Sequence, residues 1–157
     1  VKAGLDEARK GLDWIEWEMD REEIVDDQAY RARILDQLKR CHGGGTDEDY
    51  VRMYEASMVR DEGMAKTVAA AFVRARQEPQ HHTLILSYTG GGHIQFNLPV
   101  PKRVARRLGQ PVAQTTVYLT SFDPTRIGEI RDLVQDGIAD YLWLTPVSQQ
   151  GPPQRCR

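Results

Sequence analysis

Apolar residues recur every three or four positions through residues 47–77: Tyr50, Met53, Tyr54, Met58, Met64, Ala65, Val68, Phe72 and Ala75, with small Ser57 in line. That period predicts a long helix with one buried face. Thr46 followed by Asp49 gives the helix a capping-box start, and Pro79 stops it. Asp61, next to Arg60, falls on the apolar stripe between Met58 and Met64. A carboxylate facing a core costs on the order of 2–7 kcal/mol unless a partner meets it, so a partner for Asp61 is expected.

The same reading runs along the rest of the chain. Leu5, Ala8, Leu12, Ile15 and Met19 predict a first helix over residues 3–21, with Trp14 and Trp17 widening its stripe. The two tryptophans read as packing anchors, against the core or a partner surface, or as the walls of an aromatic ligand site. Asp26 and Asp27 open a second helix over 28–41, with Tyr30, Ile34, Leu35 and Leu38 on one face and Gly43, Gly44 and Gly45 behind it. After the long helix, residues 83–88 are almost wholly apolar and predict a strand buried on both faces. It runs into Gly90, Gly91, Gly92 and His93. Pro101 suits the first turn of a helix to Leu108. Residues 114–122 favour extended chain, 125–135 form a helix with Ile127, Ile130, Leu133 and Val134 inward, and 140–144 form a last strand.

The expected fold is therefore α/β: a helical N-terminal segment of three helices, then alternating strands and helices forming part of a mainly parallel sheet. Residues 1–146 read as one domain, with 1–45 helical and 46–146 the α/β portion. Residues 147–157, rich in Pro and Gln, read as a disordered tail. Three apolar strands make a thin sheet, so sheet partners are expected from another subunit or from chain beyond these residues. The chain opens on Val1 rather than Met, so removal of a leader or of a whole N-terminal portion is expected.

Composition narrows the function classes. With 157 residues, 40% hydrophobic and 28% charged, the chain suits one domain with a real core. A net charge of −2 gives no electrostatic case for nucleic acid or an anionic membrane surface. No apolar run approaches the ~20 residues that span a bilayer. Cys41 and Cys156 lie far apart, form no metal-spacing motif, and read as two free thiols.

The chemistry gathers at the glycine turn. Gly90, Gly91 and Gly92 let backbone approach a ligand closely, and His93 offers a ring nitrogen that can bind metal or take a proton near neutral pH. Ligands of open α/β sheets bind at the carboxyl ends of strands, so His93 and Asp61 are expected to share one cleft there. No helix stands directly behind the glycines and no Gly-Lys-Ser/Thr follows, which argues against a phosphate cradle. Tyr54, Met58 and Met64 fill the core by default, yet Tyr, Met and His are also haem-iron ligands. His81 and His82 read as a solvated turn.

Tyr54, Arg60-Asp61-Glu62-Gly63-Met64-Ala65, the glycine turn with His93-Ile94, Pro99-Val100-Pro101-Lys102-Arg103 and the closing Asp140-Tyr141-Leu142-Trp143-Leu144-Thr145-Pro146 together resemble the ChaN-like haem-binding uptake family. That family sits in a clan with TraB/TIKI-type and erythromycin-esterase-like proteins. The resemblance covers about residues 50–146 and implies a C-terminal part only, the first helices resembling an insertion. It implies an α/β fold, haem as cofactor, bacterial iron uptake, a cell-envelope lipoprotein and subunits that associate around haem. Phe96 stands where relatives tend to offer a tyrosine, which shifts axial ligation to His93, Tyr54 or Tyr88. Three readings stay open. One is a haem-binding protein with no turnover, holding haem between helix 47–77 and the glycine turn with Asp61, Arg60, Gly90, Gly91, Gly92, Tyr54, Met58 and Met64 around His93. The second is a hydrolase of the clan, acid/base or divalent-metal dependent with His93 as a metal ligand. The third is a non-catalytic module docking through the tryptophan helix.

Overall fold

Side-chain caps decide where the first helices begin. In a computed structural model, which describes residues 24–77, 84–149 and 151, Asp27 caps α1 (Gln28–Cys41) by accepting from the amides of Ala29 and Tyr30. The Thr46–Asp49 box caps α2 (Asp47–Gln77): the Thr46 amide donates to Asp49 at 2.9 Å and the Asp49 amide donates back to Thr46 Oγ1 at 3.2 Å. Asp47, Glu48 and Asp49 in the first turn and Arg74 and Arg76 in the last oppose the helix dipole. Both helices occupy their expected ranges. The expected helix over 3–21, with Trp14 and Trp17, lies outside the described residues, as do His81 and His82.

The chain divides into two compact units, the first ending at Ile85 and the second starting at Leu86. In the first, α1 packs on α2 as a helical hairpin. The turn between them is closed by Tyr50, whose hydroxyl donates to the His42 carbonyl at 2.6 Å and accepts from the Gly45 amide at 3.2 Å. Tyr30, Tyr50, Tyr54, Met58, Val59, Ala65 and Ala69 are buried, so the stripe is buried through the middle of α2. Cys41 is disulfide-bonded. This corrects the expectation of two free thiols; sequence spacing says nothing about a pairing that folding brings about. The other cysteine, Cys156, lies outside the described residues.

The second unit is built on a two-stranded parallel sheet, β1 (Val117–Phe122) beside β2 (Tyr141–Pro146), with Val117 opposite Tyr141 and Leu119 opposite Trp143. Before it come two single turns of 3-10 helix, Gly91–His93 and Gln95–Asn97, and then α3 (Val100–Leu108), with Pro101 in its first turn and Gly109 closing it at φ +62. A 3-10 turn, Pro124–Arg126, leads into α4 (Ile127–Gln135), which connects the strands. Val100, Val104 and Ile138 form its apolar core, with Gln95, Arg103, Thr116 and Thr120 buried among the polar residues.

Two expectations fail here. Residues 84–88 form no strand: Leu84, Leu86 and Tyr88 are 87%, 89% and 90% exposed. An extended apolar run becomes a strand only when another strand satisfies its backbone. In α4, Ile127 and Val134 are exposed, while Ile130 and Leu133 are half-buried. The sheet offers too little surface to cover the helix's apolar stripe. The sheet itself is open, and Val117, Leu119, Tyr141 and Trp143 share one exposed face. A shallow trough of about 510 Å³ lies along β2, lined by Val117, Tyr141, Leu142, Trp143 and Leu144.

Candidate functional site

Each unit holds part of the expected site. Asp61, on α2, is fully buried and accepts from the Tyr30 hydroxyl at 2.5 Å. That is the partner the apolar stripe required. Tyr54 makes the reciprocal link, its hydroxyl donating to Asp26 at 2.6 Å while Arg31 both pairs with Asp26 at 2.7 Å and lies over the Tyr54 ring. The Tyr30 and Tyr54 rings are tilted against each other with centroids 5.5 Å apart. Met58 is buried and Met64 half-buried. Arg60 is exposed and donates to Ser57 Oγ, so the adjacent Arg60 and Asp61 face different surroundings. Asp61 belongs to the first unit and His93 to the second.

His93 stands half-buried at the end of the first 3-10 turn. Its amide donates to the Gly90 carbonyl at 2.9 Å, and the Ile94 amide to Gly91 at 3.1 Å. Gly91 is required by packing: a Cβ there would stand 2.5 Å from Cε2 of Tyr118, in β1. Gly92 has open space around it, and a Cβ on Gly90 would make only ordinary contact with His93. Two residues further on, Phe96 and Asn97 both take positive φ, +57 and +58. Asn adopts this region readily and Phe does not. The conformation is held from outside: the Phe96 amide donates to Ile138 at 2.6 Å, and Asn97 bonds Thr116 and Asp140. Beyond it, Arg103, buried on α3, donates from Nη1 to the Pro99 carbonyl at 3.1 Å.

Tyr118 is the second residue of β1, Thr116 precedes β1, and Ile138 and Asp140 precede β2. The turn therefore lies at the amino ends of the two strands, where carboxyl ends were expected, because its tethers all sit there. Tyr118, Asn97, Thr116, Asp140 and Arg103 support the turn and were not picked out as site residues. Arg103 and Asp140 carried a signal, as the last residue of the Pro99-Val100-Pro101-Lys102-Arg103 run and the first of the closing Asp140-Tyr141-Leu142-Trp143-Leu144-Thr145-Pro146 run. Among the described residues, no group of three or more His, Cys, Asp or Glu side chains could hold a metal ion. No helix among them is long and apolar enough to cross a membrane.

The class these features define is a mixed α/β protein with a histidine-bearing glycine turn braced against a parallel sheet. The chain belongs to the haem-binding uptake family of the Tiki superfamily, ChaN, whose family model matches residues 1–104. The match takes in α1, α2 and the whole turn with His93, and ends just after Arg103. No curated protein matches the chain, and no solved structure does.

Proposed function

We propose that this chain binds haem without chemical turnover, as part of haem or iron uptake, with His93 as the axial donor. The observation that carries the reading is the family match, which spans the turn bearing His93. The residues present suit the group. Haem needs a nitrogen, sulfur or phenolate donor and an uncharged surface for its ring. His93 supplies an imidazole, and residues 83–101 contain no Asp, Glu, Lys or Arg. Haem, once bound, would supply an iron centre; the chain's part is to present the imidazole and shield one face of the ring from water. The candidates on α2 belong to the first unit and differ in access. Tyr54 and Met58 are core residues of the first unit, whereas Met64 is half-buried. Asp61, in the same unit, accepts from the Tyr30 hydroxyl.

Haemin titration tests this. The wild type should give a shifted, saturable Soret band, and His93→Ala should lose it while its circular dichroism stays unchanged. A band that His93→Ala retains would move the axial role to a tyrosine such as Tyr88. No band, together with zinc binding, would favour the hydrolase reading.

A further inference from the structure

The pair Phe96–Asn97 holds two consecutive non-glycine residues in the left-handed region. For a residue such as Phe this costs about 1–3 kcal/mol and persists only where the surroundings over-determine it, while for Asn the cost is smaller. Here the surroundings are three side chains brought together from three places in the chain. Asn97 Nδ2 donates to Asp140 Oδ1 at 3.1 Å. Thr116 Oγ1 lies 2.8 Å from Asn97 Oδ1 and 3.0 Å from Asp140 Oδ2, and accepts from the Asp140 amide at 3.1 Å. The Thr116 amide donates to Asp140 Oδ2 at 2.7 Å. Every polar atom of Asn97 and Asp140 side chains thus has a partner in the cluster.

The cluster is continuous with the histidine turn. Asn97 donates its amide to Ile94 at 3.1 Å, Ile94 donates to Gly91 at 3.1 Å, and His93 donates to Gly90 at 2.9 Å. Gly91 in turn lies against Tyr118. Two fixed points, Tyr118 at one end and Asn97 at the other, bracket a segment that carries the imidazole in its middle.

We infer that Asn97, Thr116 and Asp140 form a latch that fixes the direction of His93, making Asn97 and Asp140 positioning residues for ligand binding there. The inference rests on the haem reading for its ligand, but the latch itself does not. A strained turn with a tether exchanges some stability for one defined imidazole position, and partners that orient a ligating histidine are typically worth about 10–100-fold in affinity.

Asn97→Gly separates this from a merely structural role. Glycine accepts φ of +58 without strain, while the tethering amide is removed. The expected result is a modest fall in melting temperature, since the relieved φ strain offsets only part of the lost bonds to Asp140 and Thr116. Amides of residues 91–98 should exchange about tenfold faster or more, with those of β1 and β2 unchanged, and haemin should bind about tenfold more weakly. Thr116→Val, which removes the bridging hydroxyl at nearly constant volume, should loosen the same amides. Unchanged exchange at residues 91–98 in both variants would overturn the latch. Faster exchange with unaltered haemin affinity would overturn the positioning role. If the wild type binds no haemin, the haem reading and the positioning role both fail, and the exchange pattern still decides whether the latch holds the turn.

Discussion

The Tyr30 hydroxyl donates to the Asp61 carboxylate at 2.5 Å, across the hairpin of α1 and α2. Both residues are buried, so the bond is shielded from water. Tyr30→Phe should therefore lower stability by about 1–3 kcal/mol, the usual cost of taking a partner from a buried polar group. Urea unfolding followed by circular dichroism measures it. A variant as stable as the wild type but unable to bind haemin would return Asp61 to the ligand site.

Acid should weaken both units in one direction. Asp49 is held down to about 2, from an ordinary 3.8, first by the Thr46 amide and then by Arg52 and the Thr46 hydroxyl. Asp140 is lowered from 3.8, chiefly by the Thr116 amide. A depressed carboxylate contributes fully above its unfolded value and loses that contribution as pH falls through its folded value. Melting temperature should be flat above about pH 5 and fall between about pH 4 and 2. Asp49→Asn and Asp140→Asn should each make that fall shallower; an equally steep fall in both would refute the assignment.

Gly91→Ala should destabilise the second unit, since the added methyl would stand 2.5 Å from the Tyr118 ring. Overpacking of this kind costs about 1–3 kcal/mol. Tyr118→Ala in the same chain should relieve the clash, and differential scanning calorimetry of the single and double variants would show whether it does. Gly92→Ala, with open space around its Cβ, should be the milder change at the same turn.

The exposed face of Val117, Leu119, Tyr141 and Trp143 bears on the proposed association of subunits. Contiguous apolar patches larger than a few hundred Å² mark contact sites. If a second copy covers this face, sedimentation should show a concentration-dependent dimer, and Trp143→Ser should weaken it about tenfold or more. A wild type that stays monomeric at high concentration would remove self-association from the proposal.

Cys41 should resist alkylation by iodoacetamide until a reductant is added, as its disulfide requires. Peptide mass spectrometry reads this directly, and modification without reductant would contradict the bond.

Helices were legible because their causes are local. Asp27, the Thr46–Asp49 box and the stripe from Tyr50 to Ala65 lie within a few residues of what they cap or bury. The parallel pairing of β1 and β2 was legible too, from the helix between them. Residues 84–88 were misread because an apolar extended run has the same composition whether or not a partner strand exists.

The sequence by itself determined the ends of the two helices of the hairpin, the family and the presence of His93 on a glycine turn, since each depends on neighbours in the chain. Only the tertiary structure decided that Tyr30 would answer Asp61 from 31 residues away. It also decided that Asn97 would meet Asp140 across 43 residues at the amino ends of the strands. Contacts at such separations are chosen by how whole elements pack, and no local spacing encodes them.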